Sequence, residues 1–122
     1  MKKDELHARD YLLHMQEAAN CIHAYTTGVS HEQFFSNKML RDAVVRNIEI
    51  IGEAANNLLE ASPEFATKYP SIPFAQIYGM RNRVAHGYFS VSTDMIWDSV
   101  QIDIPELRKQ IEMVLGELEA NG

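Results

Sequence analysis

Cysteine is almost absent from this sequence, and long apolar runs are absent altogether. The single cysteine, Cys21, excludes an intramolecular disulfide and a cysteine-rich metal site. No stretch approaches the roughly 20 apolar residues that a membrane-spanning helix requires, and the N-terminal residues lack the unbroken apolar core of a signal peptide. We therefore expect a protein of the cytoplasm, where thiols stay reduced, with no membrane among its partners.

Basic residues are also few. Eleven Lys and Arg residues stand against 17 Asp and Glu residues, so the formal net charge is −6. This balance argues against a general nucleic-acid coat protein, whose affinity would come from neutralising phosphates. The charges are unevenly placed, however, because residues 65–93 contain no Asp or Glu but do contain Lys68, Arg81, Arg83 and His86. The distribution indicates a small positive patch on an acidic body, suited to one phosphodiester.

Alternating strand patterns are nearly lacking, and apolar residues recur instead at steps of three and four. Such stripes run through residues 8–25, 40–58 and 96–118, and a shorter helix is predicted from 74 toward 87. Three long helices and one shorter one predict an all-α, up-and-down bundle. No repeat or linker divides the chain, so we predict one domain, residues 1–122.

Local signals indicate where the helices begin and bend. Ser30, with Gln33 three residues later, forms a candidate capping box for a short helical turn. Asn37 is placed to cap the second long helix, and Pro63 to begin another short turn. Pro105 is expected to kink or restart the last helix, because proline removes a backbone donor and crowds the preceding turn.

Residues 81–88 are the most unusual in the chain, since they gather two guanidinium groups, an amide, an imidazole and a phenol. If the segment is helical, Asn82 and His86 share one face. Arg81 and His86 are five residues apart, which places them about 140° apart round an ideal helix. Either the helix ends near Gly87 and turns His86 inward, or two copies meet across a two-fold axis and share one cleft.

An imidazole and a guanidinium in one cleft have what RNA cleavage without a metal requires. The imidazole can take a proton from a 2′-hydroxyl or give one to the leaving oxygen. The guanidinium can hold the charge that develops on the phosphate. The same residues also fit a capped histidine beside exposed arginines, so spacing alone leaves both interpretations open.

The second predicted helix carries a polar ridge and a glycine. Arg46, Glu49 and Glu53 lie at positions i, i+3 and i+7 of one face. They are expected either to line the cleft and tether Arg81, or to form an ordinary ion pair within the helix. Gly52 costs about 1 kcal/mol relative to alanine in a helix interior, so we expect it to permit close packing of another helix.

The segment resembles a known signature, the R-x4-H-x-Y motif of HEPN domains, which residues 81–88 match as RNRVAHGY. Its Arg-Asn start is typical of the HepT-like branch. Residues 42–54 resemble the second-helix signature of that branch, and residues 70–74 resemble its pre-motif turn, although tryptophan is commoner there than Phe74. The likeness extends over roughly residues 5–115.

The resemblance implies a dimeric HEPN bundle of four to five helices with the motifs facing a shared cleft. It implies that the protein acts as a metal-independent endoribonuclease toxin without a cofactor. It implies that Arg81 and His86 form the catalytic pair and that Asn82 orients them or the phosphate. Its partner would be a minimal nucleotidyltransferase antitoxin of the MntA kind, which transfers AMP from ATP to Tyr88 and silences the toxin. The further residues expected to line the cleft are Arg46, Glu49, Glu53 and Arg83.

Two other interpretations stay open. The first is a non-catalytic HEPN dimer that binds RNA or a nucleotide, or serves mainly as partner and substrate of the transferase. The net charge of −6 favours it. The second is a purely structural helical bundle, in which Arg81 and His86 have no chemical role.

Overall fold

The apolar stripes of the sequence become helices that lie side by side. The computed structural model describes the backbone of residues 3–86 and 93–121, and their side chains apart from those of residues 4 and 83–86. No β-strand occurs within these ranges, so the all-α prediction is confirmed. The helices are α1 (Lys3–Thr26), α2 (His31–Ser36), α3 (Lys38–Ala61), α4 (Pro63–Lys68), α5 (Phe74–His86), α6 (Thr93–Asp98) and α7 (Ile104–Asn121), with a π-helical turn at Ser99–Asp103.

Capping residues fix where the shorter elements begin. The Ser30 hydroxyl accepts a hydrogen bond from the Gln33 backbone N–H at 3.1 Å, and the Gln33 side chain accepts one from the Ser30 N–H at 2.9 Å. This reciprocal pair is the predicted capping box. Asn37 Oδ1 accepts from the Leu40 N–H at 3.0 Å and so caps α3. Pro63 is the first residue of α4, where its missing N–H is not needed.

The core lies between the long helices, with α1 packed against α3 and α7, and α3 packed against α1 and α5. Leu12, Met15 and Ile22 of α1 are fully buried. Tyr25, the last member of the predicted α1 stripe, is 45% exposed, so the apolar part of this face ends one turn earlier than predicted. The α3 stripe is confirmed, since its buried residues are Val44, Val45, Ile48, Ile51, Gly52, Ala54, Ala55 and Leu58. None of the described helices is long and apolar enough to cross a membrane.

The last predicted helix is interrupted at the place that Pro105 dictates. Ahead of this residue the backbone widens into the π-helical turn, and the Ile104 N–H donates to the Ser99 carbonyl, five residues back. Since proline cannot donate and its ring crowds the carbonyl four residues earlier, the wider turn relieves that contact. The inward face continues across the interruption through Ile96, Val100, Ile104, Leu107, Ile111, Val114 and Leu118.

Aromatic contacts join α2 to α6, the helix that follows the motif segment. Phe34 is fully buried, with its ring centroid 5.1 Å from that of Trp97. The His31 ring stacks on Trp97 at 5.5 Å, and His31 Nε2 lies 2.8 Å from a carboxylate oxygen of Asp94. These contacts fix α6 against the rest of the bundle.

Candidate functional site

Arg81 lies where α5 crosses close to α3. A Cβ atom placed on Gly52 would stand 2.0 Å from Arg81 Cβ and 2.5 Å from Arg81 Cγ, far inside van der Waals contact. Gly52 is buried, and only a residue without a side chain leaves room for this approach. The prediction that Gly52 permits close helix packing is confirmed. The helix that packs against Gly52 is α5, which carries the motif.

The guanidinium of Arg81 is held from two sides. Nη2 lies 3.1 Å from Glu53 Oε1 on α3, and Nη1 donates to Asn82 Oδ1 at 3.0 Å. The Arg81 side chain is 24% exposed, and its Nε is buried without a hydrogen-bond partner among the described residues. A guanidinium carries five N–H groups. Glu53 and Asn82 occupy one N–H group each, and Nε is buried, so the N–H groups left on Nη1 and Nη2 are those that an anion would bind.

Glu53 changes the electrostatics that the sequence suggested. Residues 65–93 contain no acidic residue, yet the fold brings a carboxylate from α3 directly against Arg81. A segment without acidic residues in the sequence can therefore lie beside an acidic residue in the fold. The positive charge of Arg81 is partly neutralised, and the pair is partly screened because the Glu53 side chain is 47% exposed.

The three polar residues of the α3 ridge do not share one role. Glu53 tethers Arg81, as the functional interpretation predicted. Arg46 and Glu49 instead pair with each other at 3.5 Å, three residues apart on the same helix. The Arg46 side chain is 62% exposed, which is typical of an ordinary surface ion pair.

His86 is the last residue of α5. The backbone is helical from Arg81 to His86, so the two residues keep the separation of about 140° round the helix axis that the sequence predicted. The side chains of Arg83 and His86 lie outside the described residues, and so does Tyr88 altogether. The structure therefore brings together Arg81, Asn82 and Glu53. The chemical roles of the other motif residues stay predictions.

A groove between α5 and α7 was missed by sequence reasoning. It encloses about 320 Å³, and its apolar lining is Ile48, Ile51, Pro73, Ile77, Met80, Ile104 and Leu107. The π-helical turn borders it through Asp103, which also lines the groove. Periodicity shows that each helix has an apolar face, but it does not show where two packed helices leave a gap between them.

Among the described side chains, no three His, Cys, Asp or Glu residues lie close enough together to hold a metal ion.

Comparison with known proteins identifies the family. A family model described as ribonuclease HepT-like matches residues 15–114, which is most of the chain and includes the motif. The chain belongs to the HepT-like ribonuclease family. The helical bundle, with α3 packed against the motif helix α5, is therefore a HepT-like HEPN bundle.

Several relatives cover nearly the whole chain. A Methanocaldococcus jannaschii protein named "Gamma-glutamylcyclotransferase and putative RNase" is 40% identical over 121 residues, which are 99% of this chain and 52% of that protein. The chain thus spans about half the length of that relative. A "Putative RNase" of Caldanaerobacter subterraneus is 38% identical, covering 88% and 93% of the two chains. A "Probable ribonuclease HepT" of Thermococcus cleftensis is 36% identical, covering 85% and 92%. No solved structure matches.

Proposed function

We propose that this protein is a metal-independent endoribonuclease and the toxin of a cytoplasmic toxin–antitoxin pair. The observation that carries the proposal is the guanidinium of Arg81, oriented between Glu53 and Asn82 with N–H groups left for an anion. This arginine stands at the arginine position of the HEPN signature. Membership of the HepT-like family and relatives named as ribonucleases support the same activity.

The proposed reaction is attack of an RNA 2′-hydroxyl on the adjacent phosphorus. The His86 imidazole takes the 2′-hydroxyl proton, the bond from phosphorus to the 5′-oxygen breaks, and the leaving oxygen receives a proton from an imidazolium. The products are a 2′,3′-cyclic phosphate and a free 5′-hydroxyl. Arg81 stabilises the charge that grows on the non-bridging oxygens, and Asn82 keeps the guanidinium in place through its amide oxygen.

Two copies of the chain are proposed to build the active cleft. Arg81 and His86 occupy backbone positions about 140° apart round α5, so one helix does not readily direct both residues at the same phosphate. Across a two-fold axis the same patch faces itself, and the arginine of one copy meets the histidine of the other. Such a homodimer would also bring Arg46, Glu49 and Arg83 to the rim of the cleft.

Silencing is proposed to occur by AMP transfer to Tyr88. A minimal nucleotidyltransferase antitoxin of the MntA kind would join the α-phosphate of ATP to the tyrosine oxygen and release pyrophosphate. The added groups are bulky and negative, so at the mouth of the cleft they would exclude RNA by size and by repulsion of its phosphates. Incubation with the cognate transferase and ATP should add the mass of one AMP or more to the intact protein. Tyr88→Phe should prevent the addition.

Cleavage of RNA in the presence of EDTA tests the nuclease directly. Purified protein should cut RNA with EDTA present, and both Arg81→Ala and His86→Ala should abolish cutting while the far-ultraviolet circular dichroism stays unchanged. Arg9→Ala is the control for loss of a guanidinium, because Arg9 lies on α1 and pairs with Glu119. Equal cutting by His86→Ala and the unchanged protein would exclude the mechanism.

A non-catalytic RNA-binding module is the second candidate. Two observations favour it: the net charge of −6, and the partial neutralisation of Arg81 by Glu53. In that case the unchanged protein should bind an RNA oligonucleotide without cutting it, and Arg81→Ala should weaken the binding. A gel-shift titration run beside the cleavage assay separates the two functions.

A further inference from the structure

We infer that Glu53 is a positioning residue for Arg81: its carboxylate fixes the direction of the guanidinium and acts on RNA only through it. The inference deepens the proposed function and rests on it. It concerns a contact between α3 and α5, whose residues lie 28 positions apart in the chain.

Helix α3 holds the Arg81 side chain at both ends. Gly52 admits the base of the side chain, since a Cβ atom on Gly52 would meet Arg81 Cβ at 2.0 Å. Glu53, the next residue of α3, holds the tip through the contact of 3.1 Å with Nη2. An arginine side chain has many rotamers. Fixing both its base and its tip leaves few of them.

The contact suits orientation better than it suits stability. The two side chains are 24% and 47% exposed, and ion pairs this open to solvent contribute little to folding because water and salt screen them. Glu53 touches only Nη2, and Asn82 only Nη1. The guanidinium is therefore aimed from two sides while N–H groups remain for a phosphate.

The alternative role for Glu53 is competition with the RNA phosphate, and it predicts a different change in kcat and KM. A carboxylate bound to Nη2 could compete with the phosphate for the same charge. Removing a competitor should tighten RNA binding and lower KM. Removing a positioning group should lower kcat without lowering KM, because the guanidinium remains present but is less often in the reactive arrangement.

The substitution that separates these roles is Glu53→Gln, which keeps the size of the side chain and removes its charge. We expect kcat for RNA cleavage to fall about tenfold, within the roughly hundredfold that a misplacement of 1 Å can cost. The matched control is Glu60→Gln, a glutamate two turns further along the same face of α3 that accepts from Asn56. It should leave kcat and KM within about twofold of the unchanged protein.

A second measurement does not depend on cleavage. The Nε–H group of Arg81 can be followed by nitrogen-15 NMR, and its heteronuclear NOE should show an ordered side chain in the unchanged protein and in Glu60→Gln. It should show a mobile side chain in Glu53→Gln. Arg81→Ala assigns the signal, because that variant loses it.

The outcomes are distinct. An unchanged kcat, a lower KM or an equally ordered Arg81 in Glu53→Gln would each overturn the positioning role. If the unchanged protein does not cut RNA, or if Arg81→Ala cuts as well as it does, the proposed nuclease fails. The NMR comparison then still decides whether Glu53 orders the guanidinium.

Discussion

Gly52→Ala tests the contact on which the site depends. The new methyl carbon would be built 2.0 Å from Arg81 Cβ and 2.5 Å from Arg81 Cγ. Ordinary contact begins near 3.4 Å, so the atoms have to move apart by about 1.4 Å. A Cβ atom cannot rotate away from its own backbone, and therefore α5 itself has to shift relative to α3.

Two free-energy terms of opposite sign set the size of the effect. Alanine in place of glycine in a helix interior stabilises by about 1 kcal/mol. Forcing one or more carbon atoms into a filled contact costs about 1–3 kcal/mol. Because the nearest obstructing atom, Arg81 Cβ, is bonded to the backbone, the upper part of that range applies. We expect Gly52→Ala to lower the free energy of unfolding by about 1–2 kcal/mol.

Two other helical glycines give the matched comparison. Gly116 in α7 and Gly79 in α5 have no atom within 4 Å of a Cβ built on them, so alanine there should stabilise by up to about 1 kcal/mol. Urea unfolding followed by circular dichroism measures all three variants, at one protein concentration because dimerisation would shift the midpoint. If Gly52→Ala stabilised the protein as much as Gly116→Ala, the close approach of Arg81 to α3 would be refuted.

Further expectations concern the core, a helix cap and one tyrosine. Phe34→Ala should lower the free energy of unfolding by about 3–5 kcal/mol because its ring is fully buried; Phe35→Ala, at a ring 54% exposed, should cost far less in the same thermal melt. Asn37→Ala should cost about 1 kcal/mol in urea, since it removes the cap of α3. A hydrogen bond with Cys21, and then the thiolate charge, raise the pKa of Tyr25. Cys21→Ala should lower that pKa toward 10.0 in an NMR titration.

Most of the bundle could be predicted because its signals are local. The period of three and four residues predicted the faces of the long helices, and the start of α2 followed from the chemistry of Ser30 and Gln33 alone. The break ahead of Pro105 was predicted for the same reason, since proline acts on its own turn. The form of the break, a π-helical turn, was not predicted, because it depends on how the helix keeps its inward face buried.

The site could be predicted only in part, because its contacts join distant parts of the chain. The motif and the role of Gly52 in close packing were predicted from the sequence. The sequence did not show that the helix packed against Gly52 is α5. The ridge of Arg46, Glu49 and Glu53 offered two pairings, and the sequence could not decide between them. The crossing of α3 and α5 decides it, since it places Glu53 beside Arg81 and leaves Arg46 with Glu49.

The electrostatics of the site indicate how RNA would be selected. The chain has a net charge of −6, and the described guanidinium of the motif already has a carboxylate partner. If the protein acts on RNA as proposed, general attraction for the phosphate backbone would therefore supply little affinity. What remains is geometry: on the proposed function, the N–H groups of Arg81 that Glu53 and Asn82 leave unused would donate to a phosphate only where the cleft holds it in one orientation. On the proposed function, an acidic protein would then cut RNA at places chosen by the shape of the strand and not by its charge.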